Sequence, residues 1–190
     1  MALLDPLDPS ILVNCLTRVN VKPIDTMKSQ EIRSELSINC YAQAVLLKII
    51  GDKLESKSKR TAIIDISSSI GMQESYTVPF LAAFQSLRHF YNQGEDLSGQ
   101  WKNIDFMSVL PFVTSKGSLG KPKINALVAD VQESAEGIIR CIGRTKVCYG
   151  SSKHVIYSMI MDSIYCIMPV FVGEYIRNYI RDSFIHIRTD

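Results

Sequence analysis

Short β-branched runs alternate with segments of helical length along the first two thirds of this chain. Ile11-Leu-Val-Asn14, after an Asp-Pro turn, reads as a buried strand. From about Thr26 to Ile50 the apolar residues Ile32, Leu36, Cys40, Leu47 and Ile50 recur at helical spacing. Asp25 or Thr26 is the expected cap and Gly51 the expected end. Lys53 to Arg60 reads as a solvated connector into a second strand, Thr61 to Ile66, which runs into the small-residue turn Ser67 to Gly71. Pro79 suits a first helical position, which predicts a helix through about Tyr91. Gly94 to Gly99 reads as a loop, and Ile104 to Leu110 as a third buried strand closed by Pro111. Strands separated by helices call for an α/β fold with a parallel sheet and right-handed crossovers, whose ligands sit beyond the carboxyl ends of the strands. Asn14, Ser67 to Gly71 and Pro111 to Thr114 fall at such ends.

Beyond a Gly/Lys/Pro loop at Gly117 to Lys123, Asp130 is placed to cap a helix to about Ile142. The block Val155 to Val172 is apolar apart from Ser158, Asp162, Ser163 and Pro169. A charge in its middle argues for a surface-seeking or partner-buried helix over a membrane span. In the tail, Tyr175, Ile176, Tyr179, Ile180 and Phe184 interleave with Arg177, Arg181 and Arg188, as in an interfacial amphipathic helix or an ordinary packed one with a charged face. The expected division is an α/β domain over 1–150 and an apolar, amphipathic helical extension over 151–190.

Charge excludes one class of partner. The 190 residues carry 21 Lys plus Arg against 19 Asp plus Glu, a net charge of +2 that gives no electrostatic footprint for nucleic acid. Cys15, Cys40, Cys141, Cys148 and Cys166 include no C-x-x-C pair, and His89, His154 and His186 lie far apart, so no zinc-site spacing exists. The cysteines read as reduced core thiols. The opening Met1 to Ser10 holds two acids and no base, which argues against a cleaved signal or transit peptide.

Several motifs resemble the second half of a short-chain dehydrogenase/reductase, in the branch of hydroxysteroid dehydrogenases and very-long-chain 3-oxoacyl-CoA reductases. The resemblance rests on Ile11-Leu-Val-Asn14, Ile38-Asn-Cys40, Ile66-Ser-Ser-Ser-Ile-Gly-Met72, Val109-Leu-Pro111 with Thr114 and Lys116, and the segment Glu136 to Gly143. It implies a partial doubly wound, Rossmann-like parallel sheet lacking its first nucleotide-binding half, with an apolar C-terminal helical tail. Ser68 falls where the family places the serine that hydrogen-bonds a substrate carbonyl. Asn39 falls where its helix asparagine holds a water of the proton relay. Family spacing from Ser68 puts Leu81 at the acid tyrosine and Gln85 at the lysine that tunes it.

Leucine has no proton to give, and neutral glutamine supplies no field to lower a pKa. Slippage does not rescue the motif, because no lysine lies between Arg60 and Lys102 and Tyr76 is followed four residues later by Phe80. All four positions therefore read as vestiges, with no catalytic set. Cofactor binding fails separately, since no Gly-rich strand-to-helix turn appears and the family's Asn-Asn-x-Gly reads Asn14-Cys15-Leu16-Thr17. No cofactor and no metal are expected.

The missing half leaves Ile11, Leu12 and Val13 on an edge strand that another protein should cover. Tyr175, Tyr179, Arg177 and Arg181 are the tail residues expected to meet a partner or a lipid surface. The resemblance also implies a homo- or heterodimer through the helices at Thr26 to Ile50 and Pro79 to Tyr91. The functional expectation is an inactive accessory or scaffold subunit of a larger, membrane-bound assembly, with a mitochondrial inner-membrane respiratory complex favoured over the endoplasmic reticulum. The alternatives are half of a split NADP-dependent reductase and a regulatory partner of an active one.

Overall fold

The computed structural model describes residues 8–20, 22, 24–72, 79–115, 128–167, 171–176 and 179. Four parallel strands, β1 (Ile11–Asn14), β2 (Thr61–Ile66), β3 (Ile104–Val109) and β4 (Val147–Cys148), lie side by side in chain order. Between β1 and β2 run α1 (Ser29–Leu36), a π-helical turn (Ser37–Tyr41) and α2 (Ala42–Glu55). Helix α3 (Pro79–Leu97) joins β2 to β3, α4 (Val131–Cys141) joins β3 to β4, and α5 (Ser152–Ile167) follows.

Both faces of the sheet are covered, so β2 reads as an unbroken apolar and β-branched run with one acid in it. On one face Ile63 and Phe106 pack with Leu47, Ile50 and Leu54 of α2, and Leu12, Tyr91 and Trp101 close that cluster. On the other, Ala62, Ile64, Met107, Val109 and Cys148 meet Ile138 and Cys141 of α4. The strand order steps one way throughout while α4 lies on the opposite face from α2 and α3. The β3–α4–β4 crossover therefore has the opposite hand to the other two, against the general preference and the expectation of uniform right-handedness.

Strands β2 and β3, the start of α3 at Pro79 and the Asp130 cap stand as read, with the Asp130 carboxylate accepting from the Gln132 N–H at 2.8 Å, whereas β1 forms where expected but with Ile11 and Val13 exposed and not buried. Other boundaries differ. The cap of α1 is Lys28, whose N–H donates to Glu31 at 2.8 Å, and not Asp25 or Thr26. Gly51 does not end the second helical segment, which continues to Glu55. The Trp101 indole occupies the space beside Gly51, and an added Cβ would lie 2.6 Å from its ring. Helix α3 likewise passes Tyr91 and Gly94 and ends at Leu97. Among the described residues no helix is long and apolar enough to cross a membrane. The Gly117 to Lys123 loop, Lys116, Tyr76 and the tail residues Arg177 and Arg181 lie outside the described residues.

Candidate functional site

Register brings Asn14, Asp65 and Ser108 side by side near the carboxyl ends of β1, β2 and β3. Period-2 alternation turns Asp65 and Ser108 to the same face as Ile63 and Phe106, toward α2 and α3. There Gln43 of α2 and Arg88 and Asn92 of α3 meet them, forming a buried polar layer. Asp65 accepts from Asn14 Nδ2 at 2.7 Å and from Gln43 Nε2 at 2.8 Å. Asn92 donates to the Ser108 hydroxyl at 3.0 Å.

Arg88 is the hub of this layer. Its guanidinium lies 3.7 Å from Asp65 and donates to the carbonyls of Leu16 at 2.5 Å and Asn14 at 3.1 Å, and to the Thr17 hydroxyl at 2.5 Å. It thus ties α3 to the turn that follows β1. Burial raises the pKa of Asp65, against the field of Arg88 and the hydrogen bonds from Asn14 and Gln43. Burial lowers that of Arg88, against the field of Asp65. A guanidinium remains charged under all ordinary conditions, and the Asp65 carboxyl lies against it. An interior gap of about 10 Å3, lined by Asn14, Gln43, Asp65, Tyr91 and Asn92 among others, is one water in size and too small for a substrate.

The four positions singled out from the sequence are occupied with structural work. Asn39 sits buried in the π-helical turn, accepts from the Arg18 N–H at 3.0 Å, and donates to the Arg18 carbonyl at 3.1 Å and to Glu35 at 3.0 Å. Its amide is thereby spent on holding the loop after β1. Ser68 donates to the Pro111 carbonyl at 3.2 Å, linking the ends of β2 and β3. On α3, Leu81 and Gln85 are 5% and 4% exposed, and the Ser67 hydroxyl lies 2.8 Å from the Gln85 carbonyl and 3.1 Å from its Oε1.

The residues expected to meet partners divide. Ile11 and Val13 are 50% and 53% exposed on β1, which pairs only with β2 among the described residues. Leu12 turns the other way and packs, partly buried, against the α2 cluster. Tyr175 and Tyr179 are exposed, as are Ile156, Met159, Ile160 and Ile167 on the outer side of α5.

Sequence reasoning missed the Asp65–Arg88 pair. Its signal was an acid inside a β-branched strand and a base on the buried stripe of α3 that also holds Leu81, Phe84 and Asn92. It also missed His154 of α5, fully buried, whose ring nitrogens lie 3.1 Å from the Tyr149 carbonyl and 3.0 Å from the Val113 carbonyl. That ring joins the loops after β3 and β4.

No protein-family model matches the chain, and no curated protein sequence does. Solved structures do. A short-chain dehydrogenase from Burkholderia cenocepacia J2315 in complex with NADP superposes with a TM-score of 0.69 at 14% identity, over 90% of this chain and 70% of that one. The chain has the short-chain dehydrogenase/reductase fold. The short-chain dehydrogenase from Sphingobium yanoikuyae in complex with NADPH gives 0.64 at 18% identity, and the bulky-bulky ketone specific alcohol dehydrogenase from Comamonas testosteroni 0.63 at 19%. Each of these covers 85% of this chain, which spans 66% and 64% of their respective lengths. The alternation read from the sequence therefore folds as the reductase resemblance implied.

Proposed function

We propose that this chain is a catalytically inactive, reductase-folded accessory or scaffold subunit of a larger membrane-associated protein assembly. The observation that carries the reading is the state of α3, where Leu81 and Gln85 occupy the positions that the resemblance gives to the acid and its lysine. Both are buried, Leu81 in the apolar core and Gln85 against Ser67. A positioned general acid contributes roughly 10²- to 10⁴-fold to a rate, and neither side chain has a proton to donate or a charge to tune one. Asn39 and Ser68 are bonded to backbone groups of neighbouring loops.

The apolar side chains left in solvent support the scaffold half of the reading. Ile11 and Val13 on β1, the outer side of α5, and Tyr175 and Tyr179 offer surface for neighbouring subunits. The favoured assembly is a respiratory-type complex of the mitochondrial inner membrane. A second reading, a regulatory partner of an active reductase, draws on exposed Tyr41, Leu87 and Phe90 along the helices of the π-turn segment and α3.

The test is gentle purification of the native protein with mass spectrometry of what accompanies it, followed by calorimetry with NADPH on the intact assembly. Stoichiometric subunits of a large complex and no measurable nucleotide binding are the expected result. A dissociation constant below ~1 mM for NADPH would overturn the inactive reading. A single companion bearing a Gly-rich nucleotide-binding half would replace it with a split enzyme.

A further inference from the structure

Two thiols far from the polar layer meet on the opposite face of the sheet. Cys141 is the last residue of α4 and Cys148 the last of β4. Between them the chain turns back through Gly143, whose φ of +70° a side chain would strain. Cys141 packs against the cluster that contains Cys148, whose thiol lies 3.9 Å from the Gly137 carbonyl, one helical turn before Cys141. Cys141 is half-buried and reachable, whereas Cys148 is buried, accepting from the Gly150 N–H at 3.3 Å. A metal site would need further donors, and the described residues hold no group of three or more His, Cys, Asp or Glu.

We propose that Cys141 and Cys148 form a redox pair that hydrogen peroxide closes into a reversible intramolecular disulfide, tying the end of α4 to β4. In the first step the Cys141 thiolate attacks a peroxide oxygen. An S–O bond forms, the O–O bond breaks, and the departing hydroxide takes up the proton that Cys141 released, giving one water. In the second, the Cys148 sulfur attacks the sulfenic sulfur of Cys141. The S–S bond forms, the S–O bond breaks, and the leaving hydroxide carries off the Cys148 proton as a second water. The two sulfurs lose two electrons and the peroxide gains two.

The environments fix the order. Burial pushes the Cys148 thiol up to about 11, so at neutral pH it keeps its proton and waits as the resolving partner. The product matters because β4 is two residues long and holds its place through few bonds, among them Leu110 N–H to the Cys148 carbonyl at 2.7 Å and Ser108 N–H to the Lys146 carbonyl at 2.8 Å. A covalent tie from α4 would fasten that edge. It would also hold the start of the loop that carries Gly150 and leads into α5.

The experiment treats the full-length protein with dilute hydrogen peroxide, alkylates the remaining thiols and digests with trypsin. Cleavage after Arg140, Arg144, Lys146 and Lys153 releases the two cysteines on separate peptides, 141–144 and 147–153. The expected product is those peptides joined, lighter by two hydrogens than their sum and separated by dithiothreitol. Cys40→Ser should keep the link. Cys148→Ser should lose it and leave Cys141 as a sulfenic acid that dimedone traps. Two alkylated peptides after oxidation, Cys141 joined to another cysteine, or a Cys148→Ser protein that traps no dimedone would each overturn the proposal.

Discussion

The Arg88 guanidinium lies 3.7 Å from the Asp65 carboxylate, with both side chains almost wholly removed from water, and this pair joins α3 to the middle of the sheet. Two charges sealed in an interior cost several kcal/mol each to desolvate, and their attraction repays that only when their other groups are satisfied as well. Asn14 and Gln43 complete the carboxylate, and the carbonyls of Asn14 and Leu16 with the Thr17 hydroxyl take up the two terminal nitrogens of the guanidinium, while its buried Nε has no hydrogen-bond partner among the described residues. The loop is thereby shaped by a side chain of the protein itself.

Removing one partner alone should be costly, because it strands the other. Arg88→Met and Asp65→Leu should each lose about 3–5 kcal/mol of stability, whereas the double variant should recover a large share of the summed loss. A double-mutant cycle from urea denaturation measures the coupling. Additive losses would mean that the two charges act separately, Arg88 through the loop carbonyls alone.

His89, on α3 beside Phe90, gives the fold an acid-sensitive limb. Burial lowers its pKa, so the folded state disfavours the imidazolium that the unfolded chain accepts. The unfolded form binds more protons in this window. The stability His89 supplies as a neutral ring is therefore fully present above the ordinary histidine value of about 6.5 and is lost as pH falls through the lower folded value. In His89→Phe the stability profile should flatten between about pH 5 and 7 relative to the parent. A parent and variant with parallel profiles across that range would show that other groups set the slope.

Much of the architecture was legible because its strands are short, β-branched and set apart by helices whose first turns carry Pro79 and Asp130. What escaped depends on groups distant in sequence. Gly51 looked like a helix end, and it lies within α2 because the Trp101 ring fills the space a side chain would need. Strand β4 has no periodicity of its own at two residues, and its existence rests on carbonyls that β3 and the loop after it reach for. The candidate site was half visible. Ser68, Asn39, Leu81 and Gln85 announced themselves through motif spacing, while the pairing of Asp65 with Arg88 depends on how α3 lies across β2, which no local spacing encodes.

Restoring the family residues should not restore chemistry. Leu81→Tyr pushes a larger, polar side chain into a core position that is 5% exposed, and Gln85→Lys places a cation where the Ser67 hydroxyl now donates. Overpacking of this kind costs about 1–3 kcal/mol, and a buried lysine without a partner adds to it. The double variant should melt lower than the parent and show no NADPH-dependent reduction of ketones or 3-oxoacyl thioesters. Recovered turnover would mean that α3 still faces a working site.

Two glycines inside helices separate backbone freedom from space. Replacing a mid-helix glycine with alanine normally gains about 1 kcal/mol, since the unfolded chain loses freedom and the helix gains a favourable residue. Gly94 in α3 has nothing within 4 Å of where a Cβ would stand, so Gly94→Ala should show that gain. Gly137 in α4 is different, because a Cβ there would lie 1.7 Å from the carbonyl oxygen of Gly150. That carbonyl cannot easily retreat. Gly150 holds a φ of +80°, its N–H is bonded to Cys148, and its own missing side chain would press on Ser134. Gly137→Ala should therefore lose about 1–3 kcal/mol in spite of its better helix propensity. Denaturant midpoints of the two variants should move in opposite directions, and a shared upward shift would mean that α4 and the Gly150 loop lie farther apart than they do here.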